Sequence, residues 1–123
     1  MDDKTIIEPL DKTILQSFTT SRQKDQVVKG WLTVWSGIWK GRDFSLFEGR
    51  NFVGSEKKCN IGIPDIYFPD FSFNIRIRDD QWTMIDLDSD TGVIVNDEPV
   101  FRKELSDEDW IKAGNTLFRI KKR

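Results

Sequence analysis

An all-β sandwich with about eleven short, mostly antiparallel strands is the fold class this sequence predicts. Two observations carry the prediction. Apolar, aromatic and β-branched residues come in short runs separated by Gly, Pro and Asp/Asn turn signals at close spacing. From Gly30 onward, no stretch offers the crossover helices that parallel βαβ units require.

The elements follow in order. Trp31-Leu32-Thr33-Val34-Trp35 is a strand ended by Ser36-Gly37, and Asp43-Phe44-Ser45-Leu46-Phe47 follows the Lys40-Gly41 turn. Phe52-Val53 stops at Gly54-Ser55, and Ile61-Gly62-Ile63 stops at Pro64-Asp65. Phe73-Asn74-Ile75-Arg76-Ile77-Arg78 alternates strictly, which places Phe73, Ile75 and Ile77 on the inward face. Trp82-Thr83-Met84-Ile85 follows the Asp79-Asp80 turn. Val93-Ile94-Val95 leads into Asn96-Asp97, whose side chains tolerate positive φ in a two-residue hairpin. Pro99-Val100-Phe101 and Thr116-Leu117-Phe118-Arg119-Ile120 complete the set. Ser106-Asp107-Glu108-Asp109 resembles a helix capping box, but Gly114-Asn115 leaves no length for a helix, so Trp110-Ile111-Lys112 is read as a strand.

Composition removes most chemistry. The 123 residues allow one domain core, and 5 Trp with 9 Phe are too many for a wholly disordered chain. The absence of histidine excludes Ser-His-Asp and Cys-His catalysis and His-ligated metals together. A single cysteine, Cys59, permits neither an internal disulfide nor a thiolate cluster, and reads as a half-buried structural thiol. No carboxylate pair has a spacing that nominates a hydrolase, and there is no glycine-rich phosphate loop, so no enzyme, cofactor or metal is expected. A net charge of -2 with no basic clustering around the tryptophans argues against nucleic acid. No apolar run approaches ~18 residues and no signal-peptide apolar region opens the chain, so membrane insertion is not expected and a reduced, cytoplasmic setting is.

Residues 1–29 are read as a flexible N-terminal tail and residues 30–123 as the sandwich. The tail balances five acidic against five basic residues and has one aromatic, Phe18, so it lacks the apolar content of a core. Within it Asp3-Lys4-Thr5-Ile6-Ile7 recurs as Asp11-Lys12-Thr13-Ile14-Leu15. The segment is either a solubilising tail or a duplicated linear motif presenting Thr5 and Thr13 to a Ser/Thr kinase.

Several phrases resemble the forkhead-associated (FHA) domain family over roughly residues 30–121. These are Gly41-Arg42-Asp43-Phe44-Ser45-Leu46, Gly49-Arg50-Asn51-Phe52-Val53-Gly54-Ser55, and Cys59-Asn60-Ile61. The most specific is Asp86-Leu87-Asp88-Ser89-Asp90-Thr91-Gly92-Val93-Ile94-Val95-Asn96, and Asn115-Thr116-Leu117-Phe118-Arg119 closes the series. The resemblance implies an eleven-stranded sandwich that reads phosphothreonine with loops at one end. It also implies an arginine, a serine, a histidine and an asparagine for the task, since a dianionic phosphate is best held by a guanidinium fork and further donors. This chain departs from that set. Ser55 stands at the arginine position, Asn74 at the histidine position and Thr91 at the asparagine position; Phe71, or Ser72 after a slip of register, stands at the serine position.

Lys57 and Lys58 are the charges nearest Ser55, although lysine lacks the fork. Ser55, Lys57, Lys58, Ser72, Asn74, Ser89 and Thr91 are therefore the candidate phosphopeptide- or partner-binding positions, with Asp88 and Asp90 expected to repel phosphate. Tyr67, Phe68 and Phe71, in a loop punctuated by Pro64 and Pro69, either pack onto the sandwich end or form an aromatic patch for a protein partner. The expected function is a non-enzymatic protein-interaction module of FHA type, in bacterial signalling or as a scaffold, with weakened or lost phosphothreonine recognition. Its partner would be a protein or phosphopeptide, including its own or a neighbour's tail. The alternative is a phospho-independent docking subunit of a secretion-system-like assembly.

Overall fold

A computed structural model describes residues 27–123. Eleven strands and no helix are present among the described residues. They are β1 (Val28–Val34), β2 (Asp43–Phe47), β3 (Gly49–Gly54), β4 (Ile61–Gly62), β5 (Phe73–Arg78), β6 (Gln81–Asp86), β7 (Val93–Val95), β8 (Glu98–Pro99), β9 (Arg102–Glu104), β10 (Trp110–Ala113) and β11 (Thr116–Lys122). One sheet has five strands in the order β9-β6-β5-β3-β4, and the other has six in the order β2-β1-β11-β10-β7-β8. Every pairing is antiparallel except β3 with β4.

Alternation decides which face of each strand is inward. In β1, Gly30, Leu32 and Val34 are buried while Trp31 and Thr33 face out; in β5, Phe73, Ile75 and Ile77 are buried. The inner faces meet in one core in which Phe118 packs edge-on against Phe73 at 5.8 Å and against Phe68 at 6.1 Å. That geometry is the favoured arrangement of two aromatic quadrupoles. Both two-residue turns read from the sequence adopt positive φ at both central positions, +50° and +67° at Asp79-Asp80, +49° and +69° at Asn96-Asp97. Such turns match the right-handed twist of the strands they join. The Ser106–Asp109 segment is a tight turn: the Asp109 carboxylate accepts from the Ser106 N–H at 2.7 Å, and the chain then enters β10.

Several strand bounds differ from the sequence reading, two of them at the edges of the fold. The first strand begins at Val28, two residues inside the segment read as tail. Val28 pairs with Phe47 across a bulge, and Arg123 donates to the carbonyls of Lys29 and Val28. Pro99-Val100-Phe101 is not one strand. Pro99 ends β8, and the chain then crosses from one sheet to the other. Val100 N–H donates to Val93 on one side, Phe101 carbonyl accepts from Asp86 on the other, and β9 pairs with β6. The remaining tail, including the repeated motif with Thr5 and Thr13, lies outside the described residues.

Candidate interaction surface

The connections β3–β4, β4–β5 and β6–β7 all emerge at one end of the sandwich, because β3 and β4 run parallel while β5 and β6 pair antiparallel beside them. The long β4–β5 connection is pinned to the end of β3. Ser55 N–H donates to Pro69 at 2.9 Å, Glu56 N–H to Asp70 at 3.1 Å, and Ser72 N–H to Val53 at 2.9 Å. Gly54 permits this approach, since a Cβ there would run into the Asp70 carbonyl oxygen and lie 2.9 Å from Cys59 Sγ. Inside the connection Asp65 forms a turn that accepts from Tyr67 N–H through its carboxylate and from Phe68 N–H through its carbonyl, both at 2.9 Å. In the β6–β7 connection the Asp86 carboxylate accepts from Ser89 N–H at 3.3 Å, and the chain turns at Asp88 (φ +63°) and Gly92 (φ +70°).

Between the two connections runs an open groove of about 470 Å³. Ile66, Tyr67 and Phe71 stand on one side of it at 89%, 72% and 46% exposure, and Asp88, Ser89, Asp90 and Thr91 stand on the other. Asp70 is the third carboxylate on the groove, and among the described residues no lysine or arginine lines it.

The sequence-predicted positions divide. Ser89 and Thr91 line the groove, and Ser55 is tied to it through a 3.2 Å bond from its hydroxyl to the Asp70 carboxylate. Lys57 and Lys58 are exposed on the Glu56–Asn60 turn and do not line the groove. Ser72 and Asn74 are corrected as surface candidates: they are 0% and 5% exposed. Asn74 lies between Phe52 and Ile85 on the neighbouring strands, and its side-chain oxygen accepts from Asn51 N–H at 3.0 Å. Phe68 is also corrected, being 4% exposed and turned into the core against Phe118, while Tyr67 and Phe71 face solvent. Ile66 and Asp70 were not among the expected site residues. Their signal in the sequence was their place in a proline-bounded loop.

Beneath the site, the buried Asn51 side chain satisfies three backbone groups. Its amide donates to the carbonyls of Phe47 and Ile75, both at 2.9 Å, and its oxygen accepts from Phe47 N–H at 3.0 Å. Cys59 is half-buried, and burial first, then the negative charges of Glu56 and Asp70, hold its thiol above the ordinary 9.0. The thiolate is the reactive form. Alkylation by iodoacetamide at pH 8 is therefore expected to be several-fold slower in the folded chain than in urea, with a rate midpoint above 9.0. Equal rates in both states would contradict this environment.

Residues 33–123 match a family model described as the inner membrane component of T3SS, cytoplasmic domain. The FHA domain-containing protein FhaA of Mycobacterium tuberculosis is 32% identical over 76 residues, which are 62% of this chain and 14% of that protein, so the chain spans about one seventh of that relative. Among solved structures, the FhaA FHA domain complexed with the intracellular domain of Rv3910 is 28% identical, with a TM-score of 0.69, 75% of this chain covered and 99% of that one. A domain solved in a study of phosphothreonine-dependent FHA interactions is 27% identical with a TM-score of 0.72, covering 77% of this chain and 97% of that one. No helix of the described residues is long and apolar enough to cross a membrane.

Proposed function

The chain belongs to the family described as the inner membrane component of T3SS, cytoplasmic domain, and from that premise we propose that it is a docking domain whose contacts do not depend on phosphate. Its fold is that of the FHA domain, a non-enzymatic protein-interaction module. The finer reading rests on one observation: among the described residues, the groove at this end of the sandwich is lined by three carboxylates and no cation. A phosphothreonine side chain brings ~1.5 to 2 negative charges at neutral pH and needs an arginine fork or its equivalent. Asp70, Asp88 and Asp90 oppose it instead, and the position resembling the reader's arginine is Ser55, hydrogen-bonded to Asp70.

In this reading the domain works on the cytoplasmic side of a secretion-type assembly and binds a protein partner. The repeated Thr5 and Thr13 motif remains a proposed kinase target, read by a different FHA protein rather than by this groove. The test is calorimetric titration of the full chain with a peptide centred on Thr13, phosphorylated and unmodified, at low and moderate salt. Affinities for the two within about twofold are expected, because a solvated phosphate gains nothing against like charge. A preference of tenfold or more for the phosphopeptide, lost in a Lys57→Ala/Lys58→Ala variant, would overturn the reading and make the lysines the phosphate holders.

A further inference from the structure

We propose that the groove between the β4–β5 and β6–β7 connections binds an extended peptide carrying lysine or arginine beside a large apolar side chain. The inference rests on the docking reading above and names the chemistry of its partner.

Two independent features of the groove point to that occupant. The first is apolar surface in an unusual place. Ile66, Tyr67 and Phe71 are exposed together on one wall, although three such side chains gain more by leaving water than by facing it. The loop that holds them is fixed from within by the Asp65 turn and from below by the bonds to Ser55 and Glu56, so ordering it on binding costs little. Phe68, the fourth apolar residue of this stretch, anchors the loop to Phe118 and leaves its neighbours to face outward.

The second feature is charge. Asp88 and Asp90 line the same groove as Tyr67 and Phe71 from the other connection, and Asp70 lies on the connection that carries the aromatic side chains. Among the described residues, neither Asp88 nor Asp90 takes part in a side-chain hydrogen bond or ion pair, and Asp70 uses one oxygen on Ser55. Carboxylates steer a cationic segment toward the groove and fix its register. The faces of Tyr67 and Phe71 attract the same cations through their ring quadrupoles. Acidic and aromatic groups therefore select one ligand class together: a cation reaches the carboxylates while its apolar neighbour covers the aromatic wall. An anionic peptide loses the first contact and a purely polar one loses the second.

The experiment uses the full chain and three fluorescein-labelled peptides: one of alternating lysine and serine around a central tryptophan, its glutamate-for-lysine counterpart, and its serine-for-tryptophan counterpart. Anisotropy is read at low and moderate salt. The lysine–tryptophan peptide is expected to bind at least tenfold more tightly than either counterpart, with affinity falling as salt rises. Asp88→Asn/Asp90→Asn should remove most of the salt dependence and about tenfold of the affinity. Tyr67→Ser should weaken binding similarly while leaving the salt dependence in place. Both sites are exposed loop positions, and unchanged melting curves will verify that the variants fold. Equal binding of the three peptides, or indifference to both variants, overturns the inference. The phosphopeptide titration decides the docking reading separately. Without a phosphate preference there, failure of the lysine–tryptophan peptide here overturns only the cationic partner.

Discussion

Gly54→Ala is expected to lower the melting temperature of the domain by about 12 to 20 °C. The added methyl meets the carbonyl of Asp70, a backbone group that cannot swing aside, and comes within 2.9 Å of Cys59 Sγ. Overpacking of this kind costs about 1 to 3 kcal/mol. The β4–β5 connection relieves it only by breaking the bonds from Ser55 to Pro69 and from Glu56 to Asp70, each of which contributes about 1 kcal/mol. A total near 3 kcal/mol corresponds to the stated shift for a domain of about 100 residues. The control lies directly across the parallel pair. A methyl added at Gly62, the register partner of Gly54, meets nothing within 4 Å, and the backbone there has no positive φ. Gly62→Ala should leave the melting temperature within a few degrees of the parent. Calorimetry of the two variants side by side checks the claim. A small shift for Gly54→Ala would mean that the loop carrying the groove is not seated on β3 as described.

The second large effect is expected at Asn51. Removing its amide in Asn51→Ala takes a hydrogen bond from Phe47 N–H and from the carbonyls of Phe47 and Ile75, around a side chain that is 2% exposed. Losing each such bond costs about 1 to 3 kcal/mol, so a loss of about 4 kcal/mol is expected. That is a large fraction of the roughly 5 to 15 kcal/mol that holds a domain of this kind folded. Urea unfolding followed by tryptophan fluorescence should show the midpoint falling by roughly a quarter to four fifths, with the slope unchanged. Asn51→Asp separates the two halves of the network. Its carboxylate still accepts from Phe47 N–H but faces two carbonyl oxygens with no proton to give. Protonation restores one donor, so the folded-state pKa is raised. The variant should therefore gain stability as pH falls and lose it as pH rises through that pKa. A pH-independent deficit would show that the Asn51 amide donors contribute little.

How much of this was legible beforehand depends on whether a residue's environment is local. Strands β2, β5 and β7 have the bounds that the sequence implies, because alternation and the flanking turn residues define both ends. Strand β9 was illegible, since Arg102-Lys103-Glu104 has no apolar periodicity. It is a strand because β6 offers it an edge, and it lies at the rim of the sheet where charged side chains remain in water. Asn74 sits at an outward position of an alternating strand, which ordinarily implies exposure. Its burial comes from Phe52 and Ile85 on either side and from Asn51, none of which a single strand's pattern reveals. Phe68, Tyr67 and Phe71 share one loop with no period to sort them, so only the fold shows that the first points to Phe118 and the others to solvent. Asp88 and Asp90 were legible as acidic residues of the Asp86–Asn96 phrase, whereas the third carboxylate, Asp70, joined them only when the fold brought two separate connections onto one groove.

The meeting of Val28 and Arg123 has a mechanical consequence. Strands β1 and β11 are antiparallel neighbours in register from Gly30 against Lys122 to Val34 against Phe118, so the outer ends of the first and last strands emerge side by side at the pole away from the groove. Tension that reaches the domain through these two ends pulls on the same rung of the ladder and peels the pair apart bond by bond, rather than shearing all its bonds at once. The domain is thus a soft link along that line of pull. A partner held in the groove sits at the far pole, where the first rungs to open do not disturb it.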